Sequence, residues 1–330
     1  MRVLITTIPF AEMDRQPLVL LEQVGAEVVI NPLGRKLKEA DLVEIIPDFD
    51  VLIAGTESIT ETVLENAPNL RLISRVGIGL DSVDLAAARK RGIKVCYTPD
   101  APSPAVAELT IGFMIDLLRA VQVSNHRMHR REWYRYFGRR FCDVTIGIIG
   151  AGRIGSRVIR HLAGFECGRI LVNDTDPTLI LPTHPNCGIE RSSKDTIYRE
   201  ADIISIHVPL TAGTRNLITK EEISFMQQGT LLINTARGGI INELDLFDAL
   251  QSQHLGGAAV DVFEQEPYSG NLAGLDQCIL TAHMGSMSID CRNRMEIEAV
   301  EEAVRFMRGE PLHSPVPGGE YINQEATGKE

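Results

Sequence analysis

The segment Thr145-Ile146-Gly147-Ile148-Ile149-Gly150-Ala151-Gly152-Arg153-Ile154-Gly155 constrains this chain more than any other. A short apolar run ending in Gly-x-Gly-x-x-Gly reads as a buried strand that turns sharply into a helix. Gly150 permits the tight turn, Gly152 lets backbone approach a pyrophosphate, and Gly155 lets the helix pack close to the sheet. The helix start offers N–H groups and a positive dipole end to phosphates. The motif alone is weak, but an acid stands at the expected distance. The next apolar run, Arg169–Asn173, stops at Asp174, where a carboxylate accepts from ribose hydroxyls and repels a 2′-phosphate. This pairing predicts NAD rather than NADP.

The rest of the chain fits around that turn. Before it, apolar runs at Arg2–Thr6, Glu27–Ile30, Val51–Ala54, Leu70–Val76 and Lys94–Tyr97 alternate with helix-like stretches at Gln16–Val24, Leu37–Ile46, Glu61–Asn66 and Val83–Arg91. Continuous apolar strands separated by helices predict a parallel sheet covered on both faces. A second series follows, with strands expected at Thr145–Gly150, Arg169–Asn173, Ile203–Val208, Leu231–Asn234, Ala258–Val262 and Ile279–Ala282. The fold class is therefore α/β, with two doubly wound parallel-sheet domains, and 330 residues suffice for both. Pro99, Pro102 and Pro104 predict a hinge over Pro99–Pro104. One long helix is expected from about Ala105 to Arg130, and another from about Ser288 to Arg308 that packs back on the first unit. The tail after about Glu310 is expected to be loosely ordered. The division is 1–101 and 286–330 for one domain and 102–285 for the other.

Bulk properties exclude several function classes. A formal net charge of −11 argues against general affinity for nucleic acid or anionic membrane. No apolar run approaches the roughly 18 residues that span a bilayer, and Met1–Phe10 reads as a strand without a signal-peptide pattern. Six scattered cysteines show neither CxxC pairs nor metal-type spacing, so no metal is expected and the thiols are expected reduced, as in the cytoplasm.

Three residues of complementary chemistry fall at the expected C-terminal ends of consecutive strands: Arg237, Glu266 and His283. In an open parallel sheet those ends form the ligand crevice. Hydride transfer to a ketone develops negative charge on oxygen, which calls for a fixed cation and a proton donor. A guanidinium holds a carboxylate at two points, an imidazole exchanges a proton near neutral pH, and a carboxylate beside it fixes the tautomer. Taken singly, each of the three is as readily a surface charge, a turn residue or a core histidine. His207, in Ile206-His207-Val208-Pro209, reads as a packing or cofactor-edge residue.

With these motifs in order, the sequence resembles the D-isomer-specific 2-hydroxyacid dehydrogenases, especially their phosphoglycerate dehydrogenase-like branch. The resemblance runs from about Val24 to Leu312. It rests on Arg75-Val76-Gly77-Ile78-Gly79-Leu80-Asp81, Ala105-Val106-Ala107-Glu108, the Gly150–Gly155 turn, Asn234-Thr235-Ala236-Arg237-Gly238-Gly239, Asp261-Val262-Phe263-Glu264-Gln265-Glu266-Pro267 and Thr281-Ala282-His283. It implies NAD-dependent interconversion of a small 2-keto acid and its D-2-hydroxy acid. Arg237 would bind the substrate carboxylate and carbonyl, His283 would be the acid/base, and Glu266 its partner. The cofactor shell it implies is Gly150, Gly152, Arg153, Ile154, Gly155, Asp174, Pro209, Thr214, Thr235, Ala236, Arg237, Asp261 and His283, with Asp261 on the nicotinamide carboxamide. Arg75, Val76, Gly77 and Gly79 would bind substrate beside Arg237 and His283. It also implies a Rossmann cofactor domain inserted into a discontinuous, flavodoxin-like substrate domain, an active site in the cleft between them, and a homodimer through about Ala105–Phe141.

The departures matter. Pro102 stands where the family often has Asn, and Ala282 where it often has Pro. The basic residue that some phosphoglycerate enzymes use on the substrate phosphate falls near Ala54–Gly55, which supply no charge; Arg75 and Arg35 are the remaining candidates. Glu266, where formate dehydrogenases have Gln, disfavours formate. Two other readings stay open: a dinucleotide-sensing corepressor on the same fold, and a phosphite-type anion dehydrogenase.

Overall fold

The computed structural model describes residues 1–321 and divides into two compact units, Met1–Pro102 with Met287–Glu330, and Ser103–Ser286. The first stretch contains β1 (Arg2–Ile5), α1 (Gln16–Gln23), β2 (Glu27–Ile30), α2 (Glu39–Ile45), β3 (Val51–Ala54), α3 (Glu61–Glu65), β4 (Leu72–Arg75), α4 (Leu85–Lys90) and β5 (Lys94–Tyr97). The middle unit contains α5 (Ser103–Arg119), α6 (Val121–His129), β6 (Thr145–Ile149), α7 (Gly155–Gly164), β7 (Arg169–Asn173), β8 (Gly188–Arg191), α8 (Lys194–Glu200), β9 (Ile203–Ile206), α9 (Lys220–Phe225), β10 (Thr230–Asn234), α10 (Glu243–Gln251), β11 (Leu255–Val260) and β12 (Cys278–Leu280). The chain then returns to the first unit as α11 (Ile289–Met307).

In the first unit the sheet is wholly parallel, in the order β2-β1-β3-β4-β5, a flavodoxin-like arrangement. The central strands β1, β3 and β4 are buried on both sides because helices cover both faces, whereas the edge strand β2 is partly exposed. Leu4, Leu52, Ile73 and Val95 pack toward α2, α3 and α4, while Val3, Ile5, Ile53 and Leu72 pack toward α1 and α11. The stripe Met295, Ala299, Val300, Ala303 of α11 lies on this second face, and Ser74 Oγ donates to the Ala299 carbonyl at 2.7 Å.

The middle unit is a seven-stranded parallel Rossmann sheet, β12-β11-β10-β9-β6-β7-β8. Its strand order reverses between β6 and β9, the place where ligand crevices form in open parallel sheets. One face is covered by α5 and α7 through Ile111, Met114, Val158 and Leu162, the other by α8, α9 and α10 through Ile197, Ile223, Leu246 and Leu250.

Three expectations need correcting. The expected single helix over 105–130 is two, because Ala120 adopts a left-handed φ of +51° and the Asp116 carboxylate caps the new helix by accepting from Gln122 N–H at 2.8 Å. Strand β11 begins at Leu255, ahead of the expected Ala258: Gly256 and Gly257 interrupt the apolar pattern, but a Cβ on Gly256 would come within 2.6 Å of the Gly229 carbonyl, so the position favours glycine. The tail beyond Glu310 is held rather than loose as far as Tyr321. Glu302 accepts from the backbone N–H of His313 and Ser314, Val316 N–H donates to the Val95 carbonyl at 3.0 Å, and Val316 is buried. Residues 322–330 of that tail lie outside the described residues. The edge strand β8, largely exposed and without alternation, carried no sequence signal.

Candidate active site

The glycine turn sits at the reversal of the seven-stranded sheet. Gly150 leaves β6 with φ +92°, donates to the Asn173 carbonyl at 2.8 Å, and would place a Cβ 2.7 Å from the His207 carbonyl oxygen. At Gly155 a Cβ would stand 2.0 Å from the Gly150 carbonyl, so helix and turn touch only because that side chain is missing. Gly152 differs: none of the described residues lies within 4 Å of where its Cβ would be. Its side is open, as a pyrophosphate approach requires, and no side chain among the described residues caps the start of the ten-residue helix α7. Asp174, just past β7, accepts from Ala151 N–H at 2.6 Å and from Asp176 N–H at 2.8 Å, placing a carboxylate against the turn. Arg153 and Ile154 occupy the turn itself. These residues fit a dinucleotide.

His207 follows β9 and backs this turn. Its Nε2 lies 2.9 Å from Ser205 Oγ, its Nδ1 is buried, and burial pulls its pKa down to about 3. Beyond it, Thr214 closes the Pro209–Thr214 loop by donating to the Pro209 carbonyl at 2.6 Å and accepting from Thr211 N–H at 2.7 Å.

The three chemical groups lie beyond β10, β11 and β12, adjacent strands with the same direction. Asn234 shapes the first loop: its carbonyl oxygen accepts from Ala236 N–H and its amide donates to the Arg237 carbonyl. Thr235 is buried there, with its hydroxyl 3.0 Å from that of Thr110 on α5. Arg237 Nη1 donates to the Ala236 carbonyl at 2.6 Å, and Gly238 packs so closely on Phe263 that a Cβ would meet its carbonyl carbon at 2.0 Å. Loop 234–238 and the loop carrying Glu266 are thereby locked together. Glu266 places both carboxylate oxygens 3.0 Å from His283 Nδ1 and also accepts from Phe263 N–H at 3.2 Å.

His283 has a left-handed φ of +50°, a conformation costing about 1–3 kcal/mol in a non-glycine residue. The surroundings hold it: its N–H donates to the Asp261 carbonyl at 2.8 Å. The Asp261 carboxylate accepts from Thr281 Oγ1 at 2.6 Å and from the N–H of Met284 and Gly285 at 2.8 Å each. The family resemblance directs Asp261 toward a carboxamide; here the buried carboxylate is engaged by the loop that carries His283. The supporting part of Thr281 was missed, since a threonine at a strand end has no distinctive signature.

In the five-stranded unit, Arg75 ends β4 and is buried; its Nη1 donates to the Val76 carbonyl, and a Cβ on Gly77 would lie 2.0 Å from that nitrogen. Gly77 N–H donates to Thr98 Oγ1 at 2.8 Å, and Gly79 is buried. Arg35 grips Asp41 at 2.7 and 2.8 Å, which holds that carboxyl down at about 2. Among the described residues no group of three or more His, Cys, Asp or Glu could hold a metal, and no helix is long and apolar enough to cross a membrane.

Comparison with known proteins agrees with this geometry. The family profile "D-isomer specific 2-hydroxyacid dehydrogenase, NAD binding domain" matches residues 111–285. A hydroxypyruvate reductase of Thermotoga maritima is 36% identical over 273 residues, covering 81% of this chain and 87% of the relative. A D-3-phosphoglycerate dehydrogenase of Methanocaldococcus jannaschii is 36% identical over 94% of this chain, which spans only 59% of that relative's length. Among solved structures, the TT0316 protein of Thermus thermophilus superposes with a TM-score of 0.85 at 32% identity, covering 96% of this chain and 100% of that one.

Proposed function

This chain belongs to the D-isomer-specific 2-hydroxyacid dehydrogenases, and from that premise we propose that it interconverts a small 2-keto acid and its D-2-hydroxy acid with NAD. The observation that carries the reading is the Glu266–His283 pair, placed beyond β11 and β12 beside the Arg237 loop, on the same sheet whose reversal presents Gly150–Gly155. When bound, the dinucleotide would supply or take the hydride. Gly152 and the start of α7 would hold its phosphates and Asp174 its ribose, with Pro209, Thr214, Thr235 and Ala236 completing that shell. Arg237 orients the substrate carboxylate and stabilises charge growing on the carbonyl oxygen. His283, oriented through Nδ1 by Glu266, gives the proton from Nε2 in reduction and takes it back in oxidation.

The same proposal makes Ser103–Ser286 the NAD-binding domain and the other unit the substrate domain, with the Arg75–Gly79 loop contributing to substrate binding. It includes a homodimer. Supporting that, Trp133 (77% exposed) and Phe137 (106% exposed) stand in the arginine-rich stretch after α6, the kind of aromatic and Arg surface that interfaces bury. It also includes a cytoplasmic location, in keeping with six unpaired cysteines, five of them buried. The test is reduction of hydroxypyruvate, glyoxylate, pyruvate and phosphohydroxypyruvate with NADH. Turnover of at least one is expected, and turnover of none rejects the reading.

A further inference from the structure

The strand order of the five-stranded parallel sheet reverses between β1 and β3, and ligands of open parallel sheets collect beyond the strand ends at such a reversal. There β1 runs into Thr6, whose N–H donates to the Ile53 carbonyl at 3.0 Å, and β3 runs into Gly55. The place just beyond is taken by Glu57, only 3% exposed. Gly55 N–H donates to its two oxygens at 3.1 and 3.2 Å, and the Thr6 hydroxyl donates to Oε1. A Cβ on Gly55 would lie 2.9 Å from Glu57 Oε2 and 3.1 Å from Thr7 Cα, so the three fit together closely. A backbone amide and a hydroxyl at strand ends are the donors that a phosphate would use. Here they converge on a carboxylate of the chain itself.

The arginines of this edge are engaged as well. Arg35 holds Asp41, Arg75 donates to the Val76 carbonyl, and Arg292 donates to Glu296 at 2.6 Å and to Thr7 Oγ1 at 2.9 Å. The next strand end is the Val76–Gly79 loop: Val76 N–H donates to the Ala54 carbonyl at 2.8 Å. We propose that Glu57 is a specificity-determining residue: it fills the anion position at the β1/β3 reversal, so the chain acts on 2-keto acids whose distal end carries no phosphate. The inference rests on the dehydrogenase reading above. An incoming phosphate would meet a buried like charge, and the donors it needs are already satisfied.

The experiment compares kcat/KM for hydroxypyruvate and phosphohydroxypyruvate, with glyoxylate and pyruvate alongside, for wild type, Glu57→Gln and Glu57→Ala. In wild type, hydroxypyruvate is expected to exceed phosphohydroxypyruvate by on the order of 10²-fold, the scale of a like-charge clash. Glu57→Gln keeps the shape and removes the charge, and is expected to narrow that ratio by about tenfold or more. A change in this ratio separates selectivity from a merely structural role, which would lower both substrates together. A wild-type preference for phosphohydroxypyruvate overturns the proposal, as does a ratio that the folded Gln variant leaves unchanged. The wild-type ratio decides the substrate class even where a variant does not fold. Turnover of none of the four acids instead rejects the dehydrogenase reading, and this inference with it.

Discussion

His283 Nδ1 lies 3.0 Å from both carboxylate oxygens of Glu266, which directs the ring's other nitrogen away from its holder. One ring nitrogen is thus committed to orientation and the other is available for proton exchange.

Replacing His283 by Ala should lower kcat by roughly 10²–10⁴-fold, the usual contribution of a positioned acid/base. NADH should still bind, because the glycine turn and Asp174 are untouched. Fluorescence titration of NADH beside steady-state kinetics checks both halves; a variant with full turnover would remove His283 from the chemistry.

Glu266→Gln should cost less than His283→Ala, about 10–100-fold, since the amide still offers one oxygen to Nδ1. The two losses should not add, because Glu266 acts through the imidazole. The double variant measures this: it should resemble His283→Ala alone.

The glycines of the turn should separate by function. Gly155→Ala forces a Cβ against the Gly150 carbonyl and should lower stability by about 1–3 kcal/mol, the range for overpacked sites. Gly152→Ala meets none of the described residues and should melt like wild type while binding NADH more weakly. Thermal melts and NADH titrations on the pair distinguish packing from ligand approach.

Much of this architecture was legible in the amino-acid sequence. The strand-end positions of Gly150–Gly155, Asp174, Arg237 and His283 were readable because each ends or follows a strand whose apolar run is continuous, and in a parallel sheet strand ends share an edge. What escaped depends on backbone turns and contacts that no local residue pattern announces. Ala120 breaks a helix without a glycine or proline to announce it, with Asp116 capping the new start. Glu57 looks like an ordinary loop acid until β1 is laid beside β3 and Thr6 reaches it. The residues after Glu310 look like a polar tail, and only Val95 and Glu302 reveal what they are held against.

Acid should act on the fold through His207. Burial holds its folded pKa at about 3 against an ordinary 6.5, so the unfolded chain takes up the proton first. The stability this neutral ring contributes is complete above pH 6.5 and drains as pH falls toward 3, at no more than about 1.4 kcal/mol per pH unit. Melting temperatures at about pH 7 and about pH 4.5, on either side of that ordinary value, should therefore fall further apart in wild type than in His207→Gln. Equal falls in the two proteins would contradict it.

Truncation after Glu310 should destabilise the five-stranded unit, by about 1–3 kcal/mol for the loss of buried Val316 alone. The chain would also lose the N–H partners of the Glu302 carboxylate, which is itself buried. Denaturant unfolding of the truncated chain, compared with one ending at Tyr321, measures the effect. Identical midpoints would mean that the segment contributes nothing.

Asp261 ties Thr281, Met284 and Gly285 to the end of β11 with a single side chain. The loop that carries His283 therefore takes its position from the end of β11, inside the sheet, rather than from the surface around it. Insertions or sequence drift between Tyr268 and Asp276 can remodel the neighbourhood without shifting the imidazole, so such a scaffold can change what it processes while keeping how it processes it.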